Sequence, residues 1–568
     1  MGCTRGWSLC RKFNSLKLVR LFIPAFLIVV IPVALSAHSP VLETQQPEVR
    51  VGERLFSESR FARFFQANSG GRVNDSLSAG DPALDTLVLP DAKVIRGPYA
   101  GQTMSCRTCH LSGELKGQAG LPAQGITLFG DLVGRSSVTE RDDGQRTSPR
   151  HAPPLVGALI TQPGGWGLLH WDGEFASTED LVEATFTGRN LGWLPAEHAE
   201  AVRHFARVIR EDDGAGALAK VYAPLPYAVL LRGVDPAIPP ALRLPASFRL
   251  DPTHASDEAI LRGCARLVTS YLATLQFSHD AQGQYNGSPY DAFLAANRLP
   301  RTPQSGETPP EYNRRLSEAV AALRAPRYID EPARKFSLHN QPFRFTETEL
   351  IGLKIFLRGA VGVAQSGGAG NCAECHLPPH FSDFAFHNTG VSQDEHDAAH
   401  GAGAFVRLEV PDLATRSTQY DHWLPATPQH PGAKSIFRSP VAVEDPARTD
   451  LGLWNIYANP DFPAAQTLIE HQLNRGGQLT HDKVLGMALA RFKTPTIRDL
   501  GQKSPYFHNG KMQTIEEVIR FYQKMSRLAH AGQMRNAPPE YFNMRIADGD
   551  IQPLAAYLRS LDEDYGGD

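Results

Sequence analysis

Apolar positions recur every three to four residues over 177–187, 196–210, 257–275, 312–323, 346–357, 515–524 and 550–561, the period of a helix that buries one face. These spacings predict seven helices. Strict apolar/polar alternation, the mark of half-buried strands, is scarce. The clearest start signal is Thr346-Glu347-Thr348-Glu349. There the Thr346 hydroxyl is expected to cap the first turn and Glu349, three residues on, to reach back to the Thr346 amide. Between the helical stretches the 568-residue chain is rich in loop formers, with 43 prolines and 49 glycines, and 301–310 is a loop by composition. The pattern predicts a mainly α protein with long ordered loops, and the length allows roughly two to four domains.

The amino-terminal stretch breaks the amphipathic pattern. Arg5, Arg11, Lys12, Lys17 and Arg20 come without an acid, before an apolar run from Leu21 to about Leu35 and the small residues around Ala34-Leu35-Ser36. This predicts an export leader over 1–37, cut after Ser36 or Ala37 or kept as an N-terminal anchor, with the body in the periplasm. The whole chain carries a net charge of −3, and the leader takes five cations with it. An acidic remainder argues against nucleic acid as a partner.

Two pentapeptides carry the chemistry: Cys106-Arg-Thr-Cys109-His110 and Cys372-Ala-Glu-Cys375-His376. C-x-x-C-H is the attachment pattern of c-type haem, in which two thiols hold the ring and the adjacent histidine is the proximal iron ligand. Zinc would want a second ligand pair beside each motif, and a thiol redox pair would not need the histidine. Two covalently bound c-type haems are therefore expected. Cys3 and Cys10 lie in the leader, so Cys264 is the remaining cysteine. It sits in a helical apolar pattern at 259–267 and is expected as a buried core thiol.

Segments 150–155 and 170–174, 288–294, 381–390, and 492–499 through 505–510 and 514–517 resemble those of the bacterial dihaem cytochrome c peroxidase and MauG superfamily. The resemblance covers 95–210 and 285–562. It implies a mainly α fold of two cytochrome c-like haem domains facing each other, with long loops and insertions. The implied organisation is an extension at 38–94, a first haem domain at 95–284 with an insertion at about 210–284, a linker and insertion at 285–345, and a second haem domain at 346–568.

The resemblance also implies site residues. The second haem's distal ligand falls fourteen residues after His508, at Tyr522; peroxidases of the family carry methionine there and MauG-like members tyrosine. Met525, one turn on, is the alternative ligand, with Met512, Met534 and Met544 as weaker ones. For the first haem, 139–145 holds no histidine, which implies an open iron beside His110. His151, at the family's asparagine position, is the alternative sixth ligand. The family's distal acid falls twenty residues after Trp171, at Leu191. Arg189 is then the candidate for stabilising a departing hydroxide, with Glu183 or Glu197 as displaced acids. Trp171 matches the aromatic residue that relays electrons between the haems. A calcium ion, held near Lys503 and Pro505, is also allowed.

Three functions compete at this point. The first is a dihaem oxidoreductase that uses hydrogen peroxide or oxygen at the His110 haem, with electrons relayed through the His376 haem. Its partner would be a small cytochrome or copper-protein electron donor, or a protein substrate. The second is an electron-transfer cytochrome with both irons six-coordinate, and the third a dihaem oxygenase acting on an organic substrate.

Overall fold

The main helices run in the order α1 (Pro47–Ser57), α2 (Thr178–Phe186), α3 (His198–Glu211), α4 (Asp257–Leu272), α5 (Pro289–Ala296), α6 (Pro309–Ala322), α7 (Glu347–Leu357), α8 (Val391–His400), α9 (Pro463–Leu473), α10 (His481–Ala488), α11 (Ile515–His530) and α12 (Ile551–Arg559). Three small antiparallel hairpins accompany them: β1 (Thr86–Val88) with β2 (Val94–Arg96), β3 (Ile329–Lys335) with β4 (Pro342–Phe345), and β5 (Phe386–His387) with β6 (Phe492–Lys493). This computed structural model describes residues 45–89, 92–111, 130–161, 167–336, 341–359 and 368–563. The expected leader lies outside the described residues. Among the described residues, no helix is long and apolar enough to cross a membrane.

All seven expected helices are present, six of them within three residues of their expected bounds. The Thr346 signal works as anticipated: Glu349 Oε2 accepts from the Thr346 amide at 2.7 Å and from its hydroxyl at 2.5 Å. Helix α11 runs past 524 to His530 because Met525, Ser526 and Ala529 continue its buried face. Cys264 is fully buried on α4, as expected.

One packing device occurs twice. Helix α1 crosses α4 in the first core, and α7 crosses α12 in the second. Each crossing turns on a glycine. A Cβ on Gly52 would stand 2.0 Å from the Leu267 carbonyl oxygen, and one on Gly352 would stand 2.0 Å from that of Pro553. Only glycine lets the two backbones approach so closely. Each crossing helix precedes one C-x-x-C-H turn, and the α7 end holds its turn directly, with Gly370 N donating to Ile355 O at 2.9 Å.

Helix α1 lacks a plain apolar period because its buried face includes Gly52 and Arg54. Arg54 is fully buried. It donates to Ala223 O at 3.0 Å and Leu225 O at 2.6 Å, and pairs with Asp212 at 2.7 Å. The described residues of 38–94 and 210–284, expected as an extension and an insertion, thus contribute α1 and α4 to the first core. A third core, not anticipated, is built from residues between Phe405 and Ala490 around Phe437 and Trp454. Leu168 and Phe386 join it, which ties it to the Trp171 loop and to β5.

Candidate haem-binding site

The two C-x-x-C-H turns present their histidines in the same way. Cys106–Cys109 is one helical turn capped by Ser105; Cys372–Glu374 is a tight turn entered through Asn371 in the left-handed region. His110 Nδ1 donates to Pro153 O at 3.1 Å and His376 Nδ1 to Phe381 O at 3.0 Å. A carbonyl can only accept, so each proton sits on Nδ1 and each lone pair on Nε2, the arrangement a metal-binding imidazole needs. Burial pushes the Cys106, Cys109 and Cys372 thiols up to about 12. Neutral thiols of this kind do not suit a thiolate redox pair.

One cavity is lined by His110, His376, Cys372, Cys375, Trp171 and Tyr522 together. Val518, Ile519 and Tyr522 bring one face of α11 to it, and Leu554 and Leu558 one face of α12. Two features suit an anionic, planar, mostly apolar group. The walls are mainly hydrocarbon, and the Lys493 amine, pushed down to about 8 by burial, has no carboxylate partner among the described residues.

Tyr522 lines this cavity while its hydroxyl makes no hydrogen bond among the described residues. Burial, with Cys375 and Cys372 nearby, raises its pKa. Met525 does not reach the cavity. It is fully buried among Val391, Phe521 and Met534, and its methyl carbon fills the space beside Gly390, 2.3 Å from where a Cβ there would stand. Met534 packs in the same cluster, whereas Met544 lines the cavity.

Trp171 is held by both its indole and its backbone. Its Nε1 donates to His151 O at 2.9 Å, and its carbonyl accepts from Lys493 N at 2.8 Å. The residues on either side enter a buried ionic network. Arg150 pairs with Asp172 at 2.6 Å and with Asp450 at 2.6 Å, and Arg438 pairs with Asp172 at 3.0 Å and with Glu174. Burial alone would raise the Glu174 carboxyl, but Arg438 and His170 beside it hold it well below the usual carboxylate range. Arg438 and Asp450 come from the third core region, where no local motif marks them.

His151 donates from Nδ1 to Val133 O at 2.9 Å, and its Nε2 is buried without a partner. Burial brings its pKa down to about 4, so it is neutral. It lines the cavity and stands two residues before Pro153, whose carbonyl fixes His110.

The expectation for Arg189 is corrected. Its guanidinium binds Asp143 at 2.6 and 2.9 Å and Gln145 O at 2.9 Å, and it does not line the cavity. The displaced acids fail in the same way: Glu183 pairs with Arg262 at 2.5 Å and Glu197 with Arg141 at 2.6 Å. Leu191 is buried in the first core. Among the described residues, the acid that lines the cavity is Glu540, whose Oε2 is buried without a partner. It lies in a Pro-Pro-Glu turn that carries no sequence signal. Near the expected calcium position the Lys503 ammonium donates to Arg498 O at 2.8 Å, and the carboxylates of Asp499, Asp562 and Glu563 act on it.

No family model matches the chain. It is 27% identical over 194 residues to the cytochrome-c peroxidase IdrP2 of Denitromonas iodatirespirans, and 22% identical over 200 residues to IdrP1 of the same organism. These matches take in 34% and 35% of this chain and only 36% and 39% of the relatives, so the chain spans little more than a third of the curated relatives it matches. Among solved structures, it is similar to a MauG-like protein associated with microbial copper homeostasis, with a TM-score of 0.41 and 16% identity over 92% of each chain. It is also similar to the diheme peroxidase BthA from Burkholderia thailandensis E264, with a TM-score of 0.39 and 15% identity over 92% of this chain and 87% of that one. Its paired C-x-x-C-H motifs and its similarity to the two cytochrome-c peroxidases agree with the resemblance to the bacterial dihaem cytochrome c peroxidase/MauG superfamily.

Proposed function

We propose that the chain is a periplasmic dihaem c-type oxidoreductase that reduces hydrogen peroxide, or oxygen, at the His110 site with electrons entering through the His376 site. Covalent haem, when bound, supplies the redox chemistry: an open iron position takes the oxidant and a filled one passes electrons. The observation that carries this reading is the single cavity onto which His110, Trp171, His376 and Tyr522 all open.

Cys106 and Cys109 tether one ring and Cys372 and Cys375 the other, in two cytochrome c-like halves that face each other across the cavity, at about 95–284 and 346–568. His110 and His376 present Nε2 as proximal ligands, steadied by the Pro153 and Phe381 carbonyls. Tyr522, on the same cavity as His376, would supply the second haem's oxygen ligand in the MauG-like manner, and phenolate ligation would favour ferric iron. Trp171 relays electrons and keeps its proton, because the His151 carbonyl that accepts its N–H is not a base. Lys493 offers an ammonium to a ring carboxylate. Reduction of one peroxide to two waters takes up two electrons and two protons. The electrons come from a small cytochrome or copper protein, or from a side chain of a protein substrate.

The test is EPR and resonance Raman spectroscopy of the ferric, haem-loaded protein beside Tyr522→Met and Met525→Leu. One five-coordinate high-spin signal and one low-spin His/Tyr signal are expected, the latter lost in Tyr522→Met and kept in Met525→Leu. Two low-spin signals unmoved by peroxide would refute the proposal. They would favour a pure electron-transfer cytochrome, a reading supported by the unpartnered His151 Nε2 on the same cavity. In that case His151→Ala turns one low-spin signal high-spin.

A further inference from the structure

Helix α8 ends in His396-Asp397-Ala398-Ala399-His400, two histidines four residues apart and therefore on one face. Their rings lie 4.7 Å apart, centre to centre. His396 Nε2 donates to Pro446 O at 2.9 Å, which leaves the lone pair on Nδ1. That Nδ1 is buried and has no partner, and His400 Nε2 is buried without one too. His396 is itself 2% exposed. Burying an unsatisfied polar atom is unfavourable, and here two such atoms share one helix face.

We propose that His396 and His400 bind one nitrogen-seeking divalent ion of the zinc class. Paired histidines one helical turn apart are a recurrent way of presenting two nitrogens to a single ion. The spacing decides the kind of ion. With metal–nitrogen bonds of about 2.0–2.1 Å, ring centres this close match neighbouring positions around one ion and are too near for the two ends of a linear pair. Nitrogen donors without a carboxylate select zinc, copper or nickel over magnesium and calcium. The Pro446 carbonyl acts as the outer hydrogen bond that orients a ligating imidazole.

Asp397, between the histidines, is not a third ligand. Its Oδ1 accepts from Phe405 N at 2.8 Å and its Oδ2 from Gly403 N at 3.2 Å. Among the described residues, the clusters of three or more side chains able to hold a metal do not include this pair. The protein therefore supplies two ligands and water the rest, from the half-exposed His400 edge. Such a site holds an exchangeable ion and does not serve as a structural clamp.

The experiment is isothermal titration of tag-free, haem-loaded protein with Zn2+, for the wild type, His400→Gln and His396→Gln, with zinc-edge X-ray absorption on the wild type. The Soret band and far-UV circular dichroism check that each variant is folded. One equivalent of zinc is expected in the wild type, with two imidazoles in its shell. Each variant should bind it at least tenfold more weakly. Absent binding, binding of equal strength in both variants, or a shell without two imidazoles would overturn the proposal. His400, at the half-exposed end of the helix, is the substitution that leaves the core intact, and the absorption measurement needs no variant.

Discussion

Replacing Gly52 or Gly352 by alanine sets two effects against each other. In an exposed helix the change is stabilising by about 1 kcal/mol, because alanine loses less backbone freedom on folding. At these crossings the new Cβ would meet a carbonyl oxygen at 2.0 Å, with Tyr271 Cβ at 3.2 Å from Gly52 and Tyr557 Cβ at 2.7 Å from Gly352. Ordinary contact begins at 3.4 Å, so each helix pair has to part by about 1.4 Å, which puts the cost at the upper end of overpacking, about 3 kcal/mol. The net expectation is a loss of about 2 kcal/mol for either variant. Gly486, in α10 with nothing within 4 Å of its added Cβ, is the control, and Gly486→Ala should gain up to about 1 kcal/mol. Urea unfolding followed by far-UV circular dichroism reads all three. Gly352→Ala should also lower haem occupancy, since α7 holds the Cys372 turn through Gly370 N. A neutral or stabilising Gly52→Ala or Gly352→Ala would refute the close crossing.

Two further outcomes follow from buried charge. Glu563 accepts from Ser278 N at 2.6 Å while its Oε2 is buried without a partner, and burial raises its pKa to about 8. The folded state then holds a proton that the unfolded chain gives up near the ordinary glutamate value. Stability is therefore full below about pH 4.5 and falls as pH rises towards 8, with a slope of up to about 1.4 kcal/mol per pH unit. Glu563→Gln should flatten that slope in melting curves recorded from pH 5 to 8, and an unchanged slope would remove Glu563 as its source. Asp450→Ala takes away the two-pronged partner of Arg150 and should cost about 3–5 kcal/mol in the same urea assay, whereas a loss under about 1 kcal/mol would mean that Asp172 alone satisfies Arg150.

The parts of this protein that could be read from the chain are those whose signal is local. The two C-x-x-C-H turns, the Thr346–Glu349 cap and the helices with plain apolar faces each place cause and effect within a few residues, so the neighbouring residues suffice to specify them. Tertiary structure decided the rest, because the deciding contacts join distant segments. Helix α1 hid behind Arg54 and Gly52, which look unfit for a core until Asp212 and the Leu267 carbonyl are brought against them. Tyr522 and Met525 stand about 60° apart in projection on one helix, and only packing turned the first to the cavity and the second to Gly390. Arg189 had the right charge for the site, but its guanidinium is engaged by Asp143 and it does not line the cavity. Glu540, Arg438 and Asp450 had no local mark at all. Backbone hydrogen bonding and periodic burial are written into neighbouring residues, whereas the partner of a buried charge or a cavity wall is chosen by the folded chain as a whole.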